Sequence, residues 1–165
     1  MLVRANAGRI DAQLVQVVAA GARLDGRVAV TEDRKLQGQL KAHTGDVGRL
    51  ASSVEAFLGR PVSELPRPLQ GAVDLDANIA GTIDAPTAAT VVNAPALVVG
   101  NASGIALTGD VAYTPSALTV RSVDLMWAEA SAHLDGRVGL AGDRRLELVF
   151  SANQLEVPSL LKATK

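Results

Sequence analysis

At 165 residues and 17.0 kDa, the chain is long enough for one ordinary domain and too short for two. Its 16 Lys and Arg nearly balance its 17 Asp and Glu, leaving a formal charge of −1. That argues against a nucleic-acid binder, whose phosphate contacts need a concentrated basic surface. The lack of cysteine removes disulfides, thiolate metal ligands and a Cys nucleophile.

Apolar residues make up 48% of the chain and charged residues 20%, a composition that folds. The only rings besides the two histidines are Phe57, Tyr113, Trp127 and Phe150, so the apolar surface must be built from Val, Leu, Ile, Ala and Gly. The first ten residues hold two Arg and no sustained apolar run, so no export signal is expected within this chain. The most apolar windows, Leu14–Ala22 and Val91–Val99, fall well short of the ~20 residues of a membrane span.

In chain order, Arg27–Val30, Thr31–Arg34 and Lys35–Ala42 read as strand, turn and strand. Asp25-Gly26 is a hairpin signal by composition, but the apolar residues on either side keep one parity, which favours a continuous strand. Val47, Leu50, Ala51, Val54, Phe57 and Leu58 recur at helical spacing and predict a short amphipathic helix over about 46–58. Thr44 or Asp46 caps it, and Gly59 and Pro61 stop it. Arg60–Pro68 is the linker that follows.

Leu69–Asp84 alternates cleanly. Leu69, Val73, Leu75, Ile79 and Ile83 fall on one face, and Asp74, Asp76 and Asn78 on the other, which predicts one long half-buried strand with a bend at a glycine. Asp74 and Asp76 read as a solubilising face, since they lack the loop geometry of a calcium site. Pro86 and Pro95 make Thr87–Val99 an edge or irregular strand. Gly100–Gly104 reads as a turn, Ile105–Tyr113 as a strand and Thr114–Ser116 as a second turn. After Leu118–Val120 the apolar parity shifts to Val123, Leu125 and Trp127, which predicts a bulge near Arg121–Ser122. Arg137–Leu140, Ala141–Arg144 and Arg145–Ala152 repeat the strand, turn and strand of the N-terminal region.

That repetition is explicit. Leu24-Asp25-Gly26-Arg27-Val28 recurs as Leu134-Asp135-Gly136-Arg137-Val138, and Asp33-Arg34-Lys35-Leu36 as Asp143-Arg144-Arg145-Leu146, both at an offset of 110. We read residues 1–165 as a fragment of one repetitive β domain, with a unit over about 7–116 and a truncated second unit over about 117–165. The second unit places Glu156–Leu161 where the first has its helix. The form [Leu/Ile]-x-Gly-x-[Val/Leu/Ile] starts at Leu24, Leu36, Leu69, Ile79, Leu107 and Leu134. Each places a glycine on the apolar face, as if that face must leave room for something.

Catalytic chemistry is not indicated. His43 and His133 lack the ligand partners of a zinc site and suit exposed positions. There is no Gly-x-Ser-x-Gly elbow and no phosphate-binding loop. The repeated acids Asp25 and Asp135 read as exposed partners of Arg27 and Arg137, with no second carboxylate converging on them. No cofactor or metal is expected. The predicted fold is mainly β: a long antiparallel meander with one apolar face, one polar face and one short helix. Two readings of the apolar face stay open. A second layer covers it as a closed core, or it forms an open groove that takes an elongated apolar ligand such as an acyl chain.

Gly45-Asp46-Val47-Gly48-Arg49-Leu50-Ala51, Leu58-Gly59-Arg60-Pro61, Leu69-Gln70-Gly71-Ala72-Val73-Asp74-Leu75-Asp76 and Ile79-Ala80-Gly81-Thr82-Ile83-Asp84-Ala85-Pro86 together resemble the repeat of the TamB family, within the AsmA-like group. The resemblance covers roughly residues 20–161. It implies a long β-sheet curled into a hydrophobic groove, a taco-like repeat, in the periplasmic part of an inner-membrane-anchored protein of a diderm bacterium. It further implies transfer of phospholipid towards the outer membrane, support of outer-membrane protein assembly, and an outer-membrane barrel partner engaged through regions outside this chain. On that reading phospholipid acyl chains are the ligand, and the groove is lined by Leu69, Val73, Leu75, Ile79, Ile83, Leu107, Val111, Leu134 and Val138. The alternative is a structural or adhesive surface β-repeat with a closed core.

Overall fold

The computed structural model describes residues 2–6, 9–19, 21–58, 67–142 and 145–154. Among them lie β1 (Leu2–Asn6), β2 (Arg9–Ala19), β3 (Ala22–Thr31), β4 (Leu36–Thr44), α1 (Val47–Leu58), β5 (Leu69–Gln70), β6 (Val73–Gly81), β7 (Pro86–Val99), β8 (Ala102–Thr114), β9 (Ala117–Trp127), β10 (Ala130–Gly139) and β11 (Leu146–Asn153). The protein is mainly β. Every ladder is antiparallel, and the strands follow chain order across one sheet, β1-β2-β3-β4-β6-β7-β8-β9-β10-β11. The short β5 lies in line with β6 and pairs with the far end of β7. The sheet is not closed into a barrel: among the described residues β1 pairs only with β2, and β11 only with β10.

The helix starts where its capping chemistry dictates. Asp46 Oδ1 accepts hydrogen bonds from the backbone N–H groups of Gly48 (2.9 Å) and Arg49 (3.3 Å), which makes Asp46 the N-cap. Thr44 plays a different part. Its buried hydroxyl accepts from the Asp46 N–H at 3.2 Å and donates to the Asp46 carbonyl at 3.1 Å, fixing the exit from β4. The predicted stop signals Gly59 and Pro61 lie outside the described residues, as does the segment Glu156–Leu161.

The predicted strand Leu69–Asp84 is interrupted twice, each time at a glycine with positive φ. At Gly71 (φ 120°) the chain leaves the ladder, and its carbonyl accepts from the Val47 N–H at 2.9 Å, so the break is where α1 docks. At Gly81 (φ 94°) β6 ends. Thr82–Ala85 then turn, held by Ala85 N–H to the Thr82 carbonyl at 3.2 Å and to the Thr82 hydroxyl at 3.1 Å. Ile83 therefore sits in an exposed turn and not on the strand, although its parity matches. That turn is tied to the β3–β4 hairpin by Ile83 N–H to the Arg34 carbonyl at 3.0 Å and by the Arg34–Asp84 ion pair at 2.9 Å.

β7 is irregular, as its prolines predict, but it is not an edge. It lies between β6 and β8. Pro86 is its first residue. Pro95 falls between the last β6 pair (Asp74↔Asn93) and the first β5 pair (Gln70↔Val98), and within a register shift against β8 between Ala94 and Leu97. Its missing N–H costs no ladder bond at that point, which is how a central strand tolerates it. The turn before β8 is shorter than expected, Gly100–Asn101. Gly104 (φ 73°) is instead an extra residue in β8, since Leu97 pairs Ile105 while Val98 pairs Ser103.

The predicted bulge at Arg121–Ser122 is present. Val120 pairs Gly136 and Val123 pairs Leu134, so those two residues oppose Asp135 alone. The N-terminal hairpin does the same: Leu14 pairs Gly26 and Val17 pairs Leu24, so Val15 and Gln16 oppose Asp25. The repeated Leu-Asp-Gly thus faces a bulge in both places, and each bulge bends its strand and increases the local twist. β3 and β10 both run unbroken through their Asp-Gly.

The repeated glycines have a use different from the expected one. A Cβ on Gly26 would lie 2.4 Å from the Gln39 carbonyl oxygen and 2.6 Å from Leu40 Cδ2, and one on Gly136 would lie 2.1 Å from the Glu147 carbonyl oxygen. Gly38 and Gly71 are crowded in the same way by Arg27 and Val28, and by Ala96 and Leu97. The space goes to the neighbouring strand, not to a ligand: each glycine lets an adjacent backbone approach, and over Gly26, Gly38 and Gly71 an aliphatic side chain folds as well. Gly109 is the exception, with its nearest neighbour, Val123 Cγ2, at 3.5 Å. Gly26→Ala should therefore cost about 1–3 kcal/mol by overpacking. Gly109→Ala should be neutral or stabilise by about 0.5–1 kcal/mol. Urea unfolding of the two variants checks this, and equal effects would refute it.

Candidate functional site

The face of every side chain follows from register, because alternate residues of a strand point to opposite sides and paired residues share a side. One row crosses the sheet as Leu24↔Ala42↔Leu75↔Val92↔Gly109↔Val123↔Leu134↔Phe150. The next reads Gly26↔Leu40↔Ala77↔Thr90↔Val111↔Val120↔Gly136↔Leu148, and a third Val28↔Gly38↔Ile79↔Ala88↔Tyr113↔Leu118↔Val138↔Leu146. No charged residue stands in any of them, and the hydroxyls of Thr90 and Tyr113 are their only polar side-chain groups.

This face has no cover among the described residues. The buried residues there are small, Ala94, Ala102, Gly109 and Thr44, and no large side chain among the described residues is fully buried. A sheet packed under a second layer would bury its Leu and Val side chains. Here the aliphatics of the interior strands are half-buried, shielded by their in-plane neighbours alone, and Leu146, Leu148 and Phe150 at the β11 edge are exposed.

Of the residues predicted to line an apolar groove, Leu75, Leu134, Val111, Ile79 and Val138 stand in these rows. Val73 (paired with Thr44), Leu107 (paired with Ala94 and Leu125) and Leu69 (paired with Val99) extend the same face. Ile83 does not join them, because the strand has already turned at Gly81. The face also includes residues outside that prediction, notably Val92, Leu125 and Trp127. Val92 was concealed by the reading of β7 as an edge. The alternation Val123, Leu125, Trp127 was itself a sufficient signal for the other two.

The opposite face carries the charged residues, many of them paired across strands, with exposed Val91, Met126 and Val149 among them. One of its rows is Arg23↔His43↔Asp74↔Asn93↔Thr108↔Asp124↔His133↔Ser151. Within it His43 Nδ1 lies 2.7 Å from Asp74 Oδ1, and His133 Nδ1 lies 2.6 Å from Asp124 Oδ1. Lys41 and Gln39 both reach Asp76, at 3.0 and 3.2 Å, and the Lys41 ammonium first, then the Gln39 amide, hold that carboxyl below the usual range. Asp25 pairs with Arg23 (3.8 Å) and not with the expected Arg27, and Asp135 faces His133 Nε2 at 3.5 Å. Arg23 and His133 occupy matching positions of the repeat and approach the matching aspartates. Two shallow depressions of about 400 and 420 Å³ lie over these His–Asp pairs. Among the described residues no three His, Asp or Glu side chains are grouped so as to hold a metal ion.

No family model, no curated protein and no solved structure matches this chain.

His133 has the clearest electrostatic signature. The hydrogen bond to Asp124 raises its pKa above the ordinary histidine value, and the charges of Asp124 and Asp135 add to the rise. Because the folded pKa exceeds the unfolded one, the pair's stabilisation is complete below about pH 6.5 and is lost as pH rises through the raised value. Asp124→Asn should return His133 towards its ordinary pKa in an NMR titration. The stability difference between wild type and Asp124→Asn should shrink from pH 5 to pH 8, and a difference that grows would contradict the assignment.

Proposed function

We propose that this chain is a segment of a bridge-like lipid-transfer protein of the diderm bacterial envelope, and that its apolar sheet face holds phospholipid acyl chains between the inner and outer membranes. One observation carries the reading: an uncharged face runs across the sheet with no second layer over it among the described residues. An exposed strip of that extent needs an occupant. An acyl chain suits it, because burial of CH₂ groups at about 0.8 kcal/mol each is non-directional and asks for no placed polar groups. The paired polar face keeps the other side in water. The TamB-like repeat supports the same reading and with it a periplasmic location, an anchor and an outer-membrane barrel partner that lie outside this chain, and a part in outer-membrane protein assembly.

A structural or adhesive β-repeat is the second reading. A parallel solenoid differs from the antiparallel ladders seen here. A closed core would require large buried side chains, and the described residues include none.

Trp127 supplies the test, since it is the sole tryptophan and stands on the apolar face opposite Ala130. Vesicles or micelles of phospholipid brominated in the acyl chain should quench its emission strongly, and headgroup-labelled lipid much less. Leu75→Asp or Val73→Asp, each on the open face of a retained sheet, should weaken lipid binding by about tenfold or more, because the carboxylate finds no partner among acyl chains. Unchanged Trp127 emission with brominated lipid, or wild-type binding by both variants, would sink the proposal.

A further inference from the structure

We propose, on the lipid-holding reading above, that Thr90 and Tyr113 select the occupant of the apolar face: their hydroxyls take the two ester carbonyls of a diacyl phospholipid and fix the end of the sheet at which its headgroup lies.

Register makes the two residues neighbours. Thr90 pairs with Val111 and Ala88 with Tyr113, so Thr90 on β7 and Tyr113 on β8 are diagonal neighbours on one face. Such positions stand about 7–8 Å apart, within reach of an aromatic side chain. In the three rows that cross the sheet, theirs are the only polar side-chain groups. Neither hydroxyl has a hydrogen-bond partner among the described residues. Thr90 is half-buried and Tyr113 is 38% exposed, so both meet whatever lies on the face.

An acyl chain alone would displace water from these hydroxyls and leave them unpaired, which costs binding. A neutral acceptor restores the bond. An ester carbonyl is such an acceptor and stands at the head of each acyl chain, and a diacyl lipid brings two of them to two hydroxyls. An ionised acceptor suits the place less well. A carboxylate drawn onto this face would find no Lys, Arg or His in the three rows.

The position of the pair sets the direction of the lipid. β8 ends one residue beyond Tyr113, at Thr114. Past that end lie the turns over residues 82–85 and 114–116, where Asp84 and Arg34 form an exposed ion pair. Away from it, Val111, Gly109, Leu107 and Ile105 carry the face along β8 for about 27 Å without a polar side chain. Val92 and Ala94 do the same on β7. The headgroup therefore lies towards the turns, and the acyl chains run back along the strands.

Two short-chain phosphatidylcholines, alike except that one has ester-linked and the other ether-linked chains, isolate the carbonyls. Each is titrated into the full chain below its micelle concentration and followed by calorimetry. The ester lipid should bind about fivefold or more tightly than the ether lipid. The double variant Thr90→Val, Tyr113→Phe, which keeps the outline of both side chains, should bind the two lipids alike, with its far-ultraviolet circular dichroism retained. Thr119→Val, on the opposite face between Ala112 and Arg137, should keep the preference. Equal binding of ester and ether lipid by the wild type would overturn the proposal and leave the lipid-holding reading standing. A preference that survives in the double variant would overturn it as well. Binding of neither lipid would remove that reading and the proposal with it.

Discussion

Everything in this protein hangs on strand register. A sheet with no second layer over its described residues has no core there to recentre a slipped strand, and a slip of one residue would carry an entire apolar set to the polar side. What holds register here is the match of both faces at once. Leu75 meets Ala42 and Val92 on one side of the sheet while Asp74 and Asp76 meet His43 and Lys41 on the other. Exposed ion pairs add little energy singly. Their value here is in opposing slippage, because a shifted β6 would bring aspartates beside Ala42 and Leu40. The bulges obey the same constraint. The bulges in β2 and β9 each place two residues against one and return the ladder to the same parity, so the strand bends without exchanging its faces.

Much of this was legible in the residues, and the failures have physical causes. The alternation from Val73 to Gly81 is visible because each polar position carries a charge or an amide. The bulge at Arg121–Ser122 could be read because clear alternation stands on both sides of it. The matching bulge in β2 could not, because Leu14–Ala22 is apolar at nearly every position and shows no parity to break. Ile83 kept the pattern while leaving the strand, since the left-handed backbone of Gly81 is invisible to periodicity. The central place of β7 depends on Pro95 falling where the break at Gly71 has already removed its partner, a coincidence of two distant segments.

The apolar face was legible in its composition and not in its openness. Alternation states which side of a strand avoids water. Whether another layer supplies the cover is decided by the rest of the chain, and among the described residues the one helix rests at an end of the sheet against β5, with Gly48 close to the Leu69 carbonyl. The glycines illustrate the same limit. Their position on the apolar face was plain, but only the geometry assigned the space above them to the side chains of Leu40, Val28 and Leu97 and to the backbone of Glu147 and Leu148.

The meander has one more consequence, in time rather than space. Apart from the detour through α1 between β4 and β6, each long strand pairs with the strand just before it in the chain. Among the described residues, substantial contacts are confined to such neighbours and to the α1–β5 and β5–β7 junctions. No strand has to wait for a distant part of the sequence before it can pair, so loop-closure entropy is met in small instalments. A chain delivered from its N-terminus, whether from a ribosome or through a narrow pore, can add each strand to the edge left by the last. Among the described residues, the growing rim and the outer edge of β1 are the parts of the sheet left unpaired at any moment. Assembly becomes vectorial, with nearest-neighbour stability like that of a linear repeat array.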